Sequence, residues 1–356
     1  HLRPLVAGAD LAPHPPTGEC APQLQQLLVE AGRAGWLSYF LPAPLGSMPW
    51  RAVRYAPVWQ SSLVVEEFSR VCAGLSLLLS AHHLGVMPLL LSGNPRTILK
   101  HVAPIYRRCQ AGDPSLVAFA ITEPGAGSDA EDGHGAQSYR PGVVATPVDG
   151  GYLLNGRKSF ISGGDLAQSV TVFAALQGEG MASWTCFYVD RTMPGFKVVR
   201  TELKMGMRAS GAAELEFSDV FVPHDRIIGG LRNGWAINRA TLNTSRIPVA
   251  AMALGMARAA TEAAVEFAQQ YQLGGRPLID AQDVQLLLAD MVAETRSLRS
   301  LIWQEARHAW RPRQLHAALC KFHATDHAQR VCEMAMDLRA DHGGLHEQRV
   351  EKIFRD

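Results

Sequence analysis

The chain has 356 residues, 47% of them hydrophobic, 7% aromatic and 19% charged, with 34 Lys and Arg against 33 Asp and Glu. A chain of this length and apolar content buries a sizeable core in two or three domains, which excludes an intrinsically disordered protein. A net charge of +1 gives no electrostatic reason to expect a nucleic acid or an anionic membrane as partner.

The chain opens on His1, so the native start is expected upstream of it. No basic-plus-apolar signal sequence is present, which points to the cytoplasm. The six cysteines, Cys20, Cys72, Cys109, Cys186, Cys320 and Cys332, include no Cys-x-x-Cys pair. They read as reduced thiols rather than a disulfide framework or a zinc ribbon. Between about Ala21 and Ala111 apolar residues recur at helical spacing, as at 26–28, 64–68 and 98–102, around a loop at 41–50 that holds three prolines and a glycine. Within this region Glu66 and Glu67 read as a solvated helix face. The apolar run 74–93 is about long enough to span a bilayer. His82 and His83 at its centre and Pro88 beyond them favour instead a buried helix that ends near Val86, so no membrane span is expected.

From about Val117 the texture changes to short β-type runs at 151–156, 169–174, 184–189 and 213–217, separated by Gly, Asp and Pro. They predict a compact β domain ending near Pro223. After 233–235 the sequence is helical again, at 250–271, 284–303 and 315–338, with Gly274, Gly275 and Pro277 dividing the first pair. Long helices joined by short breaks suggest an antiparallel bundle. The order is α, then β, then α.

The stretch 119–129, FAITEPGAGSD, carries the strongest chemical signal. Two glycines and a proline can turn successive N–H groups inward, and Thr122 and Ser128 add hydroxyls. Such a loop binds an anion or the polar edge of a flat ring; its bland alternative is a structural turn. It is not a P-loop, because no Gly-Lys-Ser/Thr follows. His316, His323, Asp326 and His327, and separately His342 and His346 beside Glu347, show spacings that metal sites use. The first set reads as surface or interhelix histidines of a bundle helix and the second is broken by Gly343 and Gly344, so no metal is expected. Trp184, Trp303 and Trp310 read as core residues. Cys186 and Cys320 have no neighbouring base to activate them. Arg246, near the start of an apolar helix, needs a partner, either a buried carboxylate or a substrate.

Downstream of FAITEPGAGSD come GYLLNGRKSFISGG at 151–164, PGF at 194–196, LKMGMRASGAAELEFSDVFVP at 203–223, NGW at 233–235 and a helix containing Arg246. In this order and spacing the motifs resemble the acyl-CoA dehydrogenase family, over essentially the whole chain. The resemblance implies an α+β, mainly α fold with an N-terminal α-helical domain (1–115), a central β-barrel domain (116–228) and a C-terminal four-helix bundle (229–356). It also implies an FAD-dependent oxidoreductase of fatty acid metabolism. Such an enzyme forms the α,β double bond of an acyl-CoA or acyl-carrier-protein thioester and passes the electrons to electron-transfer flavoprotein or another carrier.

By matching motif positions, Phe119 and Phe160 would face the flavin ring and Thr122 and Ser162 would hold its edge. Gly127 and Ser128 would approach the pyrophosphate or the pantetheine, and Gln282 keeps a family position at the cofactor. Asn243, Ser245 and Arg246 would border the substrate, and helix 74–86 would line its acyl end. The family's catalytic carboxylate follows a segment matching IFRD at 353–356 or, in some members, stands where this chain has Ser245, so no catalytic residue is assigned. Tyr271 replaces an arginine, and Asp341 a glycine, that serve the ADP end of the cofactor in the family. These departures fit a dimer or tetramer in which a paralogous subunit completes one interface. Two alternatives stay open: a non-catalytic or flavin-poor subunit, and a same-fold enzyme of flavin oxygenation or dehydration.

Overall fold

The computed structural model describes residues 22–127, 141–307, 313–345 and 349–356. Helix α1 (Pro22–Arg33) buries Leu24, Leu27, Leu28 and Ala31, the spacing of one helical face. Helix α2 (Pro57–Val71) starts on Pro57, where the missing N–H costs nothing. Helix α3 (Ala73–Leu91) is apolar on all sides and buried on most of them, as expected of a helix enclosed by protein.

Helix α3 does not end near Val86; it continues through Pro88 to Leu91. A proline inside a helix forfeits one hydrogen bond and crowds the carbonyl four residues earlier. Here Val86 and Leu89 have no exposed surface, and their burial offsets that cost. A π-helical turn (Ile98–Val102) then leads into α4 (Ala103–Gln110).

Eight strands form one mixed sheet: β1 (Val117–Ala120), β2 (Val143–Val148), β3 (Gly151–Ser162), β4 (Ser169–Leu176), β5 (Thr185–Asp190), β6 (Phe196–Thr201), β7 (Ala212–Pro223) and β8 (Ile227–Ile228). Its order is β6-β7-β3-β2-β4-β5-β8. One edge of β4 pairs in parallel with β1 over Ser169–Val172 and with β2 at Ala175 and Leu176. The expected barrel is therefore corrected to an open sheet: among the described residues β6 pairs only with β7 and β8 only with β5, so the two outer strands do not meet. Helix α3 lies against this sheet. A Cβ on Gly85 would come within 2.4 Å of the Val117 carbonyl, and the Thr171 hydroxyl donates to the Gly85 carbonyl at 3.1 Å. Only glycine permits that approach.

The C-terminal part consists of α5 (Gly234–Gln270), α6 (Gln282–Arg307), α7 (Gln314–Arg339) and the short α8 (Arg349–Arg355). Ala257, Ala260 and Ala264 on α5 are fully buried, and these small side chains let the helices pack closely. A two-stranded turn centred on Gly274 and Gly275, both at positive φ, joins α5 to α6. Helix α2 also packs on α5, where a Cβ on Gly255 would fall 2.4 Å from the Glu66 carbonyl.

At that contact Glu66 departs from the solvated face expected of it. It is 2% exposed and accepts from Arg258 at 2.7 Å and from Arg299, tying α2 to α5 and α6. Glu67 stays exposed and pairs with Arg70 and Arg258. Trp184 is fully buried as expected, whereas Trp303 is half-exposed beneath Arg299 and is not core; Trp310 lies outside the described residues.

Candidate active site

A cavity of about 360 Å³ opens between α2, α3, α5 and the end of β3. Ser162, at the last position of β3, and Ser245, on α5, both line it, so two residues 83 positions apart in sequence meet at one site. One stripe of α3 forms its long wall: Leu77, Ala81, Leu84, Met87 and Leu91 recur at helical spacing. From Leu77 to Leu91 that wall runs about 21 Å at 1.5 Å per residue. Val58 and Val65 of α2 and Pro248 and Met252 of α5 face it. Among the described residues no acidic, lysine or arginine side chain lines the cavity.

The hydroxyls of Thr244 and Ser245 donate within their own helix, to the carbonyls of Thr241 at 2.7 Å and Leu242 at 3.0 Å. Neither replaces a carboxylate as a base. Asn243 and Arg246 do not line the cavity; the guanidinium of Arg246 donates to the Asn243 amide oxygen at 2.7 Å.

Phe160 lies on β3 two residues before the cavity-lining Ser162. The β3–β7 register breaks between Lys158 and Ile161, and within that break Phe160 takes φ +56° with 62% of its surface exposed. A bulky residue in the left-handed region is strained by roughly 1–3 kcal/mol. The bulge thus presents an aromatic face to solvent at a backbone cost. Next to it, the Ser159 N–H donates to the Thr122 carbonyl at 2.9 Å, which brings the half-buried Thr122 alongside. The expected ring-side residues Thr122, Phe160 and Ser162 are therefore brought together. Phe119 is not among them: it is 7% exposed and packs edge-on to Phe173 at 5.3 Å, inside the core.

Gly127 is exposed, with open space where a Cβ would stand; Ser128 lies outside the described residues. Gln282 is exposed at the first position of α6 and is not among the residues lining the cavity. Tyr271 stacks on Phe267 at 5.0 Å and meets the edge of His342 at 5.5 Å. Its ring is thus engaged with its own bundle, and the Asp341 side chain is 93% exposed.

Sequence reasoning missed the pair that holds this region in place. Lys158 donates to Glu123 at 2.7 Å and to the Ile121 carbonyl at 2.9 Å. The Glu123 carboxylate also accepts from the N–H groups of Gly142 and Val143. Both side chains are buried, and burial holds the Lys158 ammonium below its ordinary pKa against the opposing pull of Glu123. The signal was present, since both residues sit within the two motifs already singled out.

The neighbouring histidines of α3 differ in one respect. The His82 Nε2–H donates to the Leu37 carbonyl at 2.9 Å and Nδ1 accepts from the Val117 N–H at 3.1 Å, so both nitrogens are used. The His83 Nε2 lies 2.8 Å from the Trp36 carbonyl and carries the proton, while its buried Nδ1 has no partner among the described residues. Burial lowers the His82 pKa to about 4 and holds that of His83 well below its ordinary value, with His82 adding to the second shift. His83 packs against Tyr39 at 4.4 Å and Phe40 at 4.7 Å, and all three line the cavity.

Elsewhere, His316 pairs with Glu305 at 3.1 Å, His327 with Glu294, and the His323 ring lies 3.9 Å from that of His327. His346 and Glu347 lie outside the described residues, as does Cys20. Cys186 and Cys320 are buried, which raises both thiol pKa values, that of Cys320 to about 12.

Three family models match the chain: the acyl-CoA dehydrogenase N-terminal domain over residues 7–107, the middle domain over 118–220 and the C-terminal domain over 232–356. An acyl-CoA dehydrogenase of Bacillus subtilis is 33% identical over 342 residues, covering 93% of this chain and 83% of that protein. The caffeyl-CoA reductase subunit of an Etf complex from Acetobacterium woodii is 30% identical over 338 residues, covering 93% of this chain and 84% of its own. The solved butyryl-CoA dehydrogenase of Megasphaera elsdenii superposes with a TM-score of 0.86 at 32% identity, over 99% of this chain and 88% of that one. With the helical, sheet and helical parts in this order and the cavity between them, this chain belongs to the acyl-CoA dehydrogenase family.

Proposed function

We propose that this chain binds FAD and interconverts a saturated acyl thioester, carried on coenzyme A or a carrier protein, and its α,β-unsaturated form. The observation that carries the reading is an apolar cavity of about 360 Å³ lined by Ser162, two residues along β3 from the exposed Phe160, with the Thr122 carbonyl bonded to the Ser159 N–H on the same strand. An exposed aromatic ring held at a strained φ fits a flat, partly polar cofactor ring laid across the cavity mouth. FAD bound there would supply the hydride acceptor.

The chain's own residues position and desolvate. Phe160 would support one ring face, and the Ser162 hydroxyl and the backbone of the Thr122 loop would meet its polar edge. The Glu123–Lys158 pair fixes that loop to β3. The walls from α2, α3 and α5 would exclude water from the acyl chain and so strengthen any charge–dipole interaction at the thioester. The α-proton must leave to a group other than the cavity-lining residues described, none of which is a carboxylate.

An electron-transfer flavoprotein is the proposed electron partner; the relative from Acetobacterium woodii is itself named as part of an Etf complex. A dimer or tetramer in the cytoplasm belongs to the same proposal. The test is the visible spectrum of the purified protein, with released FAD counted per chain, followed by anaerobic addition of octanoyl-CoA. About one FAD per chain and bleaching near 450 nm are expected. Recolouring of the chemically reduced protein by an enoyl-CoA would mark the reductive direction. Failure to hold FAD even after reconstitution overturns the proposal.

A further inference from the structure

The walls of the cavity are not alike. Those from α2, α3 and α5 are mainly aliphatic, whereas the loop between α1 and α2 contributes two consecutive aromatic residues, Tyr39 and Phe40. Their rings stack at 4.7 Å with 25° between the planes, and the His83 ring meets them edge-on at 4.4 and 4.7 Å. The 2.8 Å bond from the His83 Nε2–H to the Trp36 carbonyl holds that imidazole still, so it props the pair from behind. The loop is pinned on both sides of the pair, since the Ser47 N–H donates to the Ser38 carbonyl and the Met48 N–H to the Leu41 carbonyl, each at 3.0 Å. Tyr39 and Phe40 both line the cavity, and both keep part of their surface exposed. Two rings are thus set in place before any ligand arrives, which spares the cost of ordering them on binding.

Resting on the reading of this cavity as the acyl site, we infer that its substrate is an aryl-terminated acyl thioester with a short linker, such as a 3-arylpropanoyl thioester, whose ring packs on Tyr39 and Phe40. A ring there gains edge-to-face or offset contacts beyond the area it buries, which a saturated chain of the same carbon number does not. The thioethers of Met87, one turn beyond His83, and of Met252 on α5 line the same space, and sulfur packs favourably against ring edges. The linker length follows from α3. The turn after Ser162 reaches Leu78, since a Cβ on Gly163 would lie 2.9 Å from it, and His83 stands five residues further on, about 7.5 Å at 1.5 Å per residue. That span holds the reacting carbons and little more before the ring begins. A cavity of about 150 Å³ holds one benzene ring, so about 360 Å³ holds the ring, its linker and a small ring substituent. A charged substituent is excluded, because among the described residues no acidic, lysine or arginine side chain lines the cavity to pair with it.

The test is isothermal titration of the purified FAD-loaded chain with 3-phenylpropanoyl-CoA, 3-cyclohexylpropanoyl-CoA and nonanoyl-CoA, which share one acyl carbon count and differ in aromaticity and shape. The phenyl thioester should bind about fivefold more tightly than either saturated one, a preference of the size that an aromatic pair gives. Tyr39→Leu and Phe40→Leu should each bring that preference to within about twofold while nonanoyl-CoA affinity stays within about threefold of the wild type, with circular dichroism confirming that each variant folds. Saturated thioesters that bind as tightly as the phenyl one overturn the inference and leave the acyl-site reading intact. A phenyl preference that survives both substitutions also overturns it. If none of the three thioesters binds, the acyl-site reading itself fails and the inference falls with it.

Discussion

Glu123 and Lys158, 35 positions apart, form a 2.7 Å ion pair whose side chains are 2% and 0% exposed. The pair joins the FAITEPGAGSD loop to the strand that carries Phe160 and Ser162. Removing one partner of such a pair leaves a buried charge uncompensated, at a cost of about 3–5 kcal/mol. Glu123→Gln is accordingly expected to lower the urea midpoint sharply and to reduce retained FAD. Combining it with Lys158→Met should recover part of the loss, because the orphaned charge is gone. Additive single and double variants would show that the two residues do not act as a unit.

Phe160 makes a prediction in the opposite direction. Its φ of +56° is costly for phenylalanine and free for glycine. Phe160→Gly is expected to leave the FAD-free protein as stable as the wild type or more so, while weakening FAD binding about tenfold through loss of the ring face. Thermal unfolding of the FAD-free form and fluorescence titration with FAD measure the two effects separately. A variant that loses stability but keeps FAD affinity would mean that the ring serves the fold and not the cofactor.

The helical parts and the main strands were legible because their periods are strong, as in Leu24, Leu27, Leu28 and Ala31 on α1. What escaped depended on pairing across distance. Nothing in residues 64–68 distinguishes Glu66 from Glu67; Glu66 is buried because Arg258 and Arg299, some 190 and 230 positions away, arrive at its carboxylate. The open sheet likewise follows from which strands β6 and β8 fail to meet. The Phe160 conformation depends on a register break against β7. At the site, Ser162 and Ser245 were found as motif positions and do share the cavity. The difference between His82 and His83 was not found, because the two adjacent histidines look equivalent until their hydrogen bonds are traced.

The same histidines set a pH dependence. His82 has a folded pKa of about 4 and His83 one well below its ordinary value, whereas both take up protons near pH 6.5 when unfolded. The unfolded state therefore binds more protons below pH 6.5, and stability is lost as pH falls toward 4. The slope is about 1.4 kcal/mol per pH unit for each histidine. Urea unfolding at pH 7, 6 and 5 should show the decline, and His82→Gln should flatten it by about one histidine's share. An unchanged slope in that variant would place the acid sensitivity elsewhere.

The cavity's far end should set chain length. Met87 lies ten residues beyond Leu77 on the cavity stripe of α3, about 15 Å along the helix. A tryptophan there would fill the distal half and leave the Ser162 end open. For Met87→Trp, KM for decanoyl-CoA should rise about tenfold or more, while kcat/KM for butyryl-CoA stays within about threefold of the wild type. The split matters because a general loss of folding would depress both substrates alike. Equal loss on the two thioesters would mean that the acyl chain does not run along α3 toward Leu91.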